Sequence, residues 1–270
     1  MLHGWPGDRT DFADVTARLA ERGGADVIAP DLRGFGESDL RPAGQGADVS
    51  AYAAAGQARS VVGLMDELGL GRAVLAGYDI GSRIAQAVAR EHPDRVAALV
   101  IGPPVPGAGR RVLEPGIQGE YWYQSFHRLL LAEELVDGRP DAVRAYLRHF
   151  WTHWSGPAFA PSPQRLDHLT AHYAVPGAFT ASIGWYRAGA GTATVALSEK
   201  PPARPLAVPT TVLWPEHDPL FPRAWADRLG EWFAAAELRH VDGIGHFCPV
   251  EAPDVVAAAI TEATTAATRS

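Results

Sequence analysis

The chain has 270 residues, 47% of them hydrophobic and 20% charged, which suits one large core with room for an inserted subdomain. The formal net charge is −7 and no Lys/Arg-rich block occurs, which argues against a nucleic-acid footprint. The single cysteine, Cys248, excludes an intrachain disulfide. No apolar run approaches the ~18 residues needed to span a membrane, and "MLHGWPGD" is not a basic-then-apolar signal peptide. A soluble, cytoplasmic chain is therefore expected.

In chain order, "DFADVTARLAERG" reads as a helix and "ADVIAP" as a strand. "SAYAAAGQARSVVGLMDELGL" is a long helix and "RAVLAGY" a strand. "GSRIAQAVAREHP" is a helix that stops before Pro93, and "RVAALVIG" is a strand. Later come "PTTVLWP" and "AELRHVDG" as strands with the helix "RAWADRLGEWFAAA" between them, and a closing helix, "APDVVAAAITEATTAA". Short β runs alternating with helices predict an α/β fold, with a mostly parallel sheet flanked by helices. Residues 103–206 break the rhythm. They open with "GPPVPGAG", close with "EKPPARPLAVP", and hold aromatic-rich helical stretches between. The expected division is a core of residues 1–102 and 207–270 with a helical cap of residues 103–206.

The stretch "GYDIG" lies between a strand and a helix. Gly-x-nucleophile-x-Gly at such a junction is a nucleophile elbow, in which the glycines permit a tight turn that projects the middle side chain above the sheet. The middle residue is Asp79. Its bland reading is a helix cap. As a nucleophile, a carboxylate needs no base to attack carbon, and it leaves an ester that an activated water must hydrolyse. His246 in "GIGHF" could activate that water, oriented by Asp218 in "WPEHDPL". Nucleophile, acid and histidine follow predicted strands in this order, at the strand ends where catalytic groups gather. "HGWPG" would supply an oxyanion hole from the N–H groups of Trp5 and Ile80. "DLRGFGESD" lacks the glycine spacing of a dinucleotide site and reads as structural.

Together "HGWPG", "DLRGFGESD", "GYDIG", "WPEHD" and "GIGHF" resemble the epoxide hydrolases of the α/β-hydrolase superfamily, over nearly the whole chain. An acid at the elbow is shared with the haloacetate and haloalkane dehalogenases. The resemblance implies a cofactor-free hydrolase with two cap tyrosines that protonate the opening epoxide oxygen. "WYR" makes Tyr186 one of them, and "YWYQSFH" offers Tyr123, with Tyr121 as the fallback. The aromatic cap residues Trp122, Phe126, Trp151, Trp154 and Trp185 suggest a small apolar epoxide as the partner, with Trp122, Phe126 and Trp185 the candidates to meet it and packing the bland alternative. No nucleic acid or membrane is implied, and a homo-oligomer is left open. The dehalogenases place Trp or Arg directly after the nucleophile, where this chain has Ile80. Arg83 is the feature that would fit a haloacetate dehalogenase, and otherwise reads as a helix-surface charge or a partner of the site. A binding protein of the same fold is the non-enzymatic alternative.

The pairs His149/His153 and His168/His172 have metal-compatible spacing but lack a Glu between them, so no metal is expected. Cys248 reads as a small buried apolar residue. The resemblance also implies strands before "HGWPG" that these residues do not include, so one sheet edge is expected to lie bare. A mis-set start or a truncation is the expected reason; a covering partner subunit is the alternative.

Overall fold

The computed structural model describes residues 1–40, 43–44 and 46–269. Four parallel strands form the sheet in the order β1 (Ala73–Gly77), β2 (Val96–Ile101), β3 (Thr210–Pro215), β4 (Ala236–Val241). Most of β2 and β3 is buried. Their near-continuous apolar sequences, "VAALVI" and "TVLWP", reflect coverage on both faces. Helices α1 (Ala13–Arg22), α2 (Ala54–Glu67) and α3 (Asp79–Glu91) precede and connect the first strands. Between β2 and β3 the chain is helical. It runs through α4 (Trp122–Phe126), α5 (Leu130–Val136), α6 (Pro140–His153), α7 (Pro163–Tyr173), α8 (Ala178–Ser182) and α9 (Gly184–Arg187), with shorter turns between. The closing helix is α10 (Pro253–Thr268). Helix α2 packs on α3 and α1 on α10, and both α3 and α10 lie against β1 and β2.

Two expected elements differ. "ADVIAP" is not a strand. Leu2 pairs with Gly77 and the Met1 amino group donates to the Ile28 carbonyl, 2.6 Å away. An isolated bridge is not the ladder that a strand needs on its flank. An apolar groove of about 380 Å³ runs along this edge, lined by Leu2, Val27, Ile28, Leu64 and Met65 among others. The helix expected over "RAWADRLGEWFAAA" is a 3₁₀ run, Arg223–Glu231. Leu206 donates to the Trp232 carbonyl and accepts from the Ala234 N–H, so this backbone is committed to a β-bridge and cannot continue a helix.

The helical stretch after β2 is fastened to the "HGWPG" loop. Trp151 donates to the Pro6 carbonyl (2.7 Å) and Tyr173 to the Gly7 carbonyl (2.8 Å). Arg165 pairs with Asp11, and His168 with Asp8. Trp5 is wholly buried and contacts the rings of Tyr123, His127, Phe150, Trp154 and Tyr186. Each such ring pair contributes about 0.5–1.5 kcal/mol beyond area burial, so the loop and the helices are one packed unit.

Candidate active site

Asp79 opens α3, directly after β1, and is the only non-glycine residue with a left-handed φ (47°) among the described residues. Such a conformation costs on the order of 1–3 kcal/mol and persists only where the surroundings impose it. Here they do. A Cβ at Gly77 would come within 2.6 Å of the Gly81 backbone, and one at Gly81 within 2.0 Å of the Leu2 carbonyl oxygen. Both glycines of "GYDIG" are thus required by close packing. Asp79 does not cap its helix: Tyr78 holds the N-cap position, without a side-chain bond.

The Asp79 carboxylate is buried. Its Oδ2 accepts the Trp5 N–H at 2.8 Å, and the Ile80 N–H also bonds the carboxylate. The Trp5 amide therefore already holds the oxygen that would become an ester oxyanion. Oδ1 faces His246 Nε2 at 3.7 Å. Burial raises the Asp79 pKa against the opposing pull of His246 and the two amides.

His246 sits in the loop between β4 and the helical turn Cys248–Glu251. Its Nδ1 bonds Asp218 Oδ2 at 2.8 Å. Its Nε2 is buried with no hydrogen-bond partner among the described residues. Burial opposes protonation of the ring, but the Asp218 and Asp79 carboxylates outweigh it, and the pKa is raised. Asp218, after β3, accepts the Leu220 N–H on its other oxygen. The loop is clasped by Glu251, whose carboxylate accepts the N–H groups of Gly245 and Phe247, one on each side of the histidine, and that of Gly156. The His246 N–H bonds the Trp154 carbonyl at 2.7 Å. Sequence reasoning missed both of these supports. Glu251 lies five residues after His246, but nothing local marks its role.

A pocket over Asp79 is lined by Ile80, Arg83, Pro104, Tyr123, Gln124, Trp185, Tyr186 and Thr192. The rings of Tyr123 and Tyr186 meet edge to face at 5.5 Å, and burial raises both phenol pKa values, so both hydroxyls keep their protons. The fallback, Tyr121, donates to the Leu220 carbonyl (2.7 Å) and so braces the Asp218 turn.

Trp185 lines the pocket, but Trp122 and Phe126 do not. Four residues apart on α4, they share its outer face, while Tyr123, Gln124 and His127 turn inward. Trp122 is 44% exposed and stacks on Phe150. Arg83 is not a surface charge: it is mostly buried and paired with Glu199. Of the histidine pairs, His153 bonds Glu120 and His168 bonds Asp8. No group of three or more His, Cys, Asp or Glu placed to hold a metal occurs among the described residues. Cys248 is buried, which pushes its thiol up to about 12.

A model of the alpha/beta hydrolase fold family matches residues 1–253, a span that includes Asp79, Asp218 and His246. The chain belongs to the alpha/beta hydrolase fold family. It is 28% identical over 299 residues to epoxide hydrolase A of Mycobacterium tuberculosis, covering 97% of this chain and 88% of that protein. It is 27% identical over 268 residues to haloalkane dehalogenase 2 of the same organism, covering 97% and 86%. A solved structure described under novel epoxide hydrolases from metagenomes of hot environments superposes with a TM-score of 0.79 at 26% identity, covering 97% of this chain and 88% of that one. The protein is thus a hydrolase with an α/β-hydrolase fold. Among its described residues, no helix is long and apolar enough to cross a membrane.

Proposed function

We propose that the protein hydrolyses a small apolar epoxide to a vicinal diol through an ester on Asp79. The observation that carries the reading is the pair of buried, protonated tyrosines, Tyr123 and Tyr186, in one pocket with a carboxylate whose Oδ2 is held by the Trp5 amide. In this reading residues 103–206 act as a cap over a core of residues 1–102 and 207–270, and substrate is held between them.

Asp79 Oδ1 attacks an epoxide carbon as the carbon–oxygen bond breaks, and the electron pair goes to the epoxide oxygen. A tyrosine hydroxyl gives that alkoxide its proton. The ester carbonyl oxygen remains on the Trp5 amide, with the Ile80 N–H as the expected second donor, where charge develops in the next step. Esterification removes the negative charge facing His246. One of the carboxylates that raise its pKa is then gone, which favours the neutral ring that can act as a base. A water loses its proton to His246 and attacks the carbonyl carbon. The tetrahedral intermediate collapses with that proton passing to the leaving alcohol. Asp79 emerges as the acid, and its proton restores the tyrosine through solvent. The sum is epoxide plus water to diol.

Dehalogenation would use the same acid and histidine, and a relative named for it is equally similar. Two features weigh against it. Ile80, directly after the nucleophile, offers a leaving halide no side-chain donor, and the Arg83 guanidinium is engaged by Glu199. The test is one preparation given styrene oxide, followed for diol, and chloroacetate or fluoroacetate, followed for halide, beside Asp79→Ala. Diol from the native protein alone is expected. Halide without diol, or diol from the Asp79 variant at the native rate, would refute the proposal.

A further inference from the structure

Gln124 is buried beside the reacting groups and takes no part in the steps above. Its carboxamide spans two partners. Oε1 accepts the Ala193 N–H at 2.9 Å, and Nε2 lies 3.0 Å from the Tyr123 hydroxyl oxygen. The first contact decides which end of the amide is which. A backbone N–H can only donate, so the oxygen must face Ala193 and the NH2 must face Tyr123. An NH2 can only donate in turn. The Tyr123 oxygen therefore accepts from Gln124, and from the neighbouring Tyr186 hydroxyl, which leaves the pocket as the outlet for the Tyr123 proton.

The surroundings are built to hold this orientation. A Cβ at Gly191 would come within 2.7 Å of Gln124 Oε1 and 3.1 Å of the Tyr186 ring, so only glycine leaves room for the carboxamide. Gln124 is 5% exposed and both ends of its carboxamide are already paired within the protein. The bond to Gln124 also pulls the Tyr123 pKa down against the larger upward push of burial.

We infer that Gln124 is a positioning residue that sets the hydrogen-bond polarity of Tyr123, so that its proton points at the oxygen of a bound epoxide. The inference rests on the proposed epoxide chemistry. It concerns only the first half-reaction, because ester hydrolysis needs no proton from Tyr123.

The test compares native protein, Gln124→Met and Gln124→Glu in single turnovers with styrene oxide from pH 6 to 9. Ester formation is read by acid quench and intact mass, and ester loss by diol release. Methionine keeps the length and removes the donor. Its ester formation should fall about tenfold to a hundredfold, with ester hydrolysis unchanged. Glutamate keeps an acceptor for the Ala193 N–H. Ionised, it can only accept, so it turns the Tyr123 proton away from the pocket. Protonated, it donates again. Relative to native at each pH, its ester formation should therefore recover on acidification, or match the native rate throughout if the buried carboxyl stays neutral. Either result, with an impaired Met variant, supports the inference. Ester formation within twofold of native in Gln124→Met would overturn it. So would an equal loss in both half-reactions, which marks a scaffold role. If the native protein itself forms no ester, the proposed function falls, and the inference with it. Ester formed equally by native and Met variant overturns the inference alone.

Discussion

Replacing His246 by alanine should separate the two half-reactions. His246 is held by Asp218 at 2.8 Å on Nδ1, and its Nε2 stands 3.7 Å from Asp79 Oδ1, beside the carboxyl carbon that water must attack. It touches nothing that the epoxide-opening step requires to donate or accept a proton. A positioned general base contributes about 10²- to 10⁴-fold, or about 3 to 5 kcal/mol of barrier. That whole loss should fall on ester hydrolysis. Ester formation should change in one respect. The histidine lowers the Asp79 pKa, which burial has already raised, so removing the ring raises it further. Since only ionised Asp79 attacks, ester formation in the variant should weaken on acidification sooner than in the native protein and converge with it in alkaline buffer. Rapid quench with intact-mass detection should show one equivalent of substrate bound to the variant, followed by diol release slowed by the factor above. Steady-state turnover falling while ester formation falls equally, or a variant that never gains the substrate's mass in alkaline buffer, would refute the two-step scheme.

Tyr186→Phe removes one of the two hydroxyls offered to the opening oxygen and should lower kcat/KM for epoxide ~10²-fold, with the rate of ester hydrolysis unaltered. A variant as fast as native would remove Tyr186 from the reaction. Asp11 tests the join between the "HGWPG" region and α7. Its buried carboxyl accepts the Tyr78 hydroxyl and pairs with Arg165, yet burial dominates and raises it to about 7. The folded state thus holds this proton more tightly than the unfolded chain. Its stabilising contribution is complete below about pH 4 and is lost as pH rises through 7, an effect on the order of 4 kcal/mol. Urea unfolding should show the native protein losing stability between pH 4 and 8 relative to Asp11→Asn, and parallel pH profiles would disprove the raised value.

Much of the fold was legible because it follows from short-range chemistry. Apolar runs such as "VAALVI" can only be satisfied in a covered parallel sheet, and Gly77 and Gly81 mark a turn that tolerates no Cβ. The same local chemistry placed Asp79, Asp218 and His246 just beyond strand ends. Facing directions on short elements were not legible. Helix α4 spans five residues, too few for a periodic signal, and packing against Trp5 and Phe150 decides that Tyr123 turns inward and Trp122 outward. "ADVIAP" and "RAWADRLGEWFAAA" depend on distant backbone for their hydrogen bonds, and what those partners offer overrides local propensity.

The sequence by itself determined the α/β architecture and the residue types of the candidate site, since glycine at a turn and apolar residues in a strand answer constraints felt within a few positions. Only the tertiary structure decided which polar atoms meet. The Trp5 amide reaches Asp79 across 74 positions, Glu251 clasps the His246 loop, and Ala193 orients Gln124 across 69. A buried donor or acceptor must be paired wherever the fold leaves it, and no spacing along the chain records that partner.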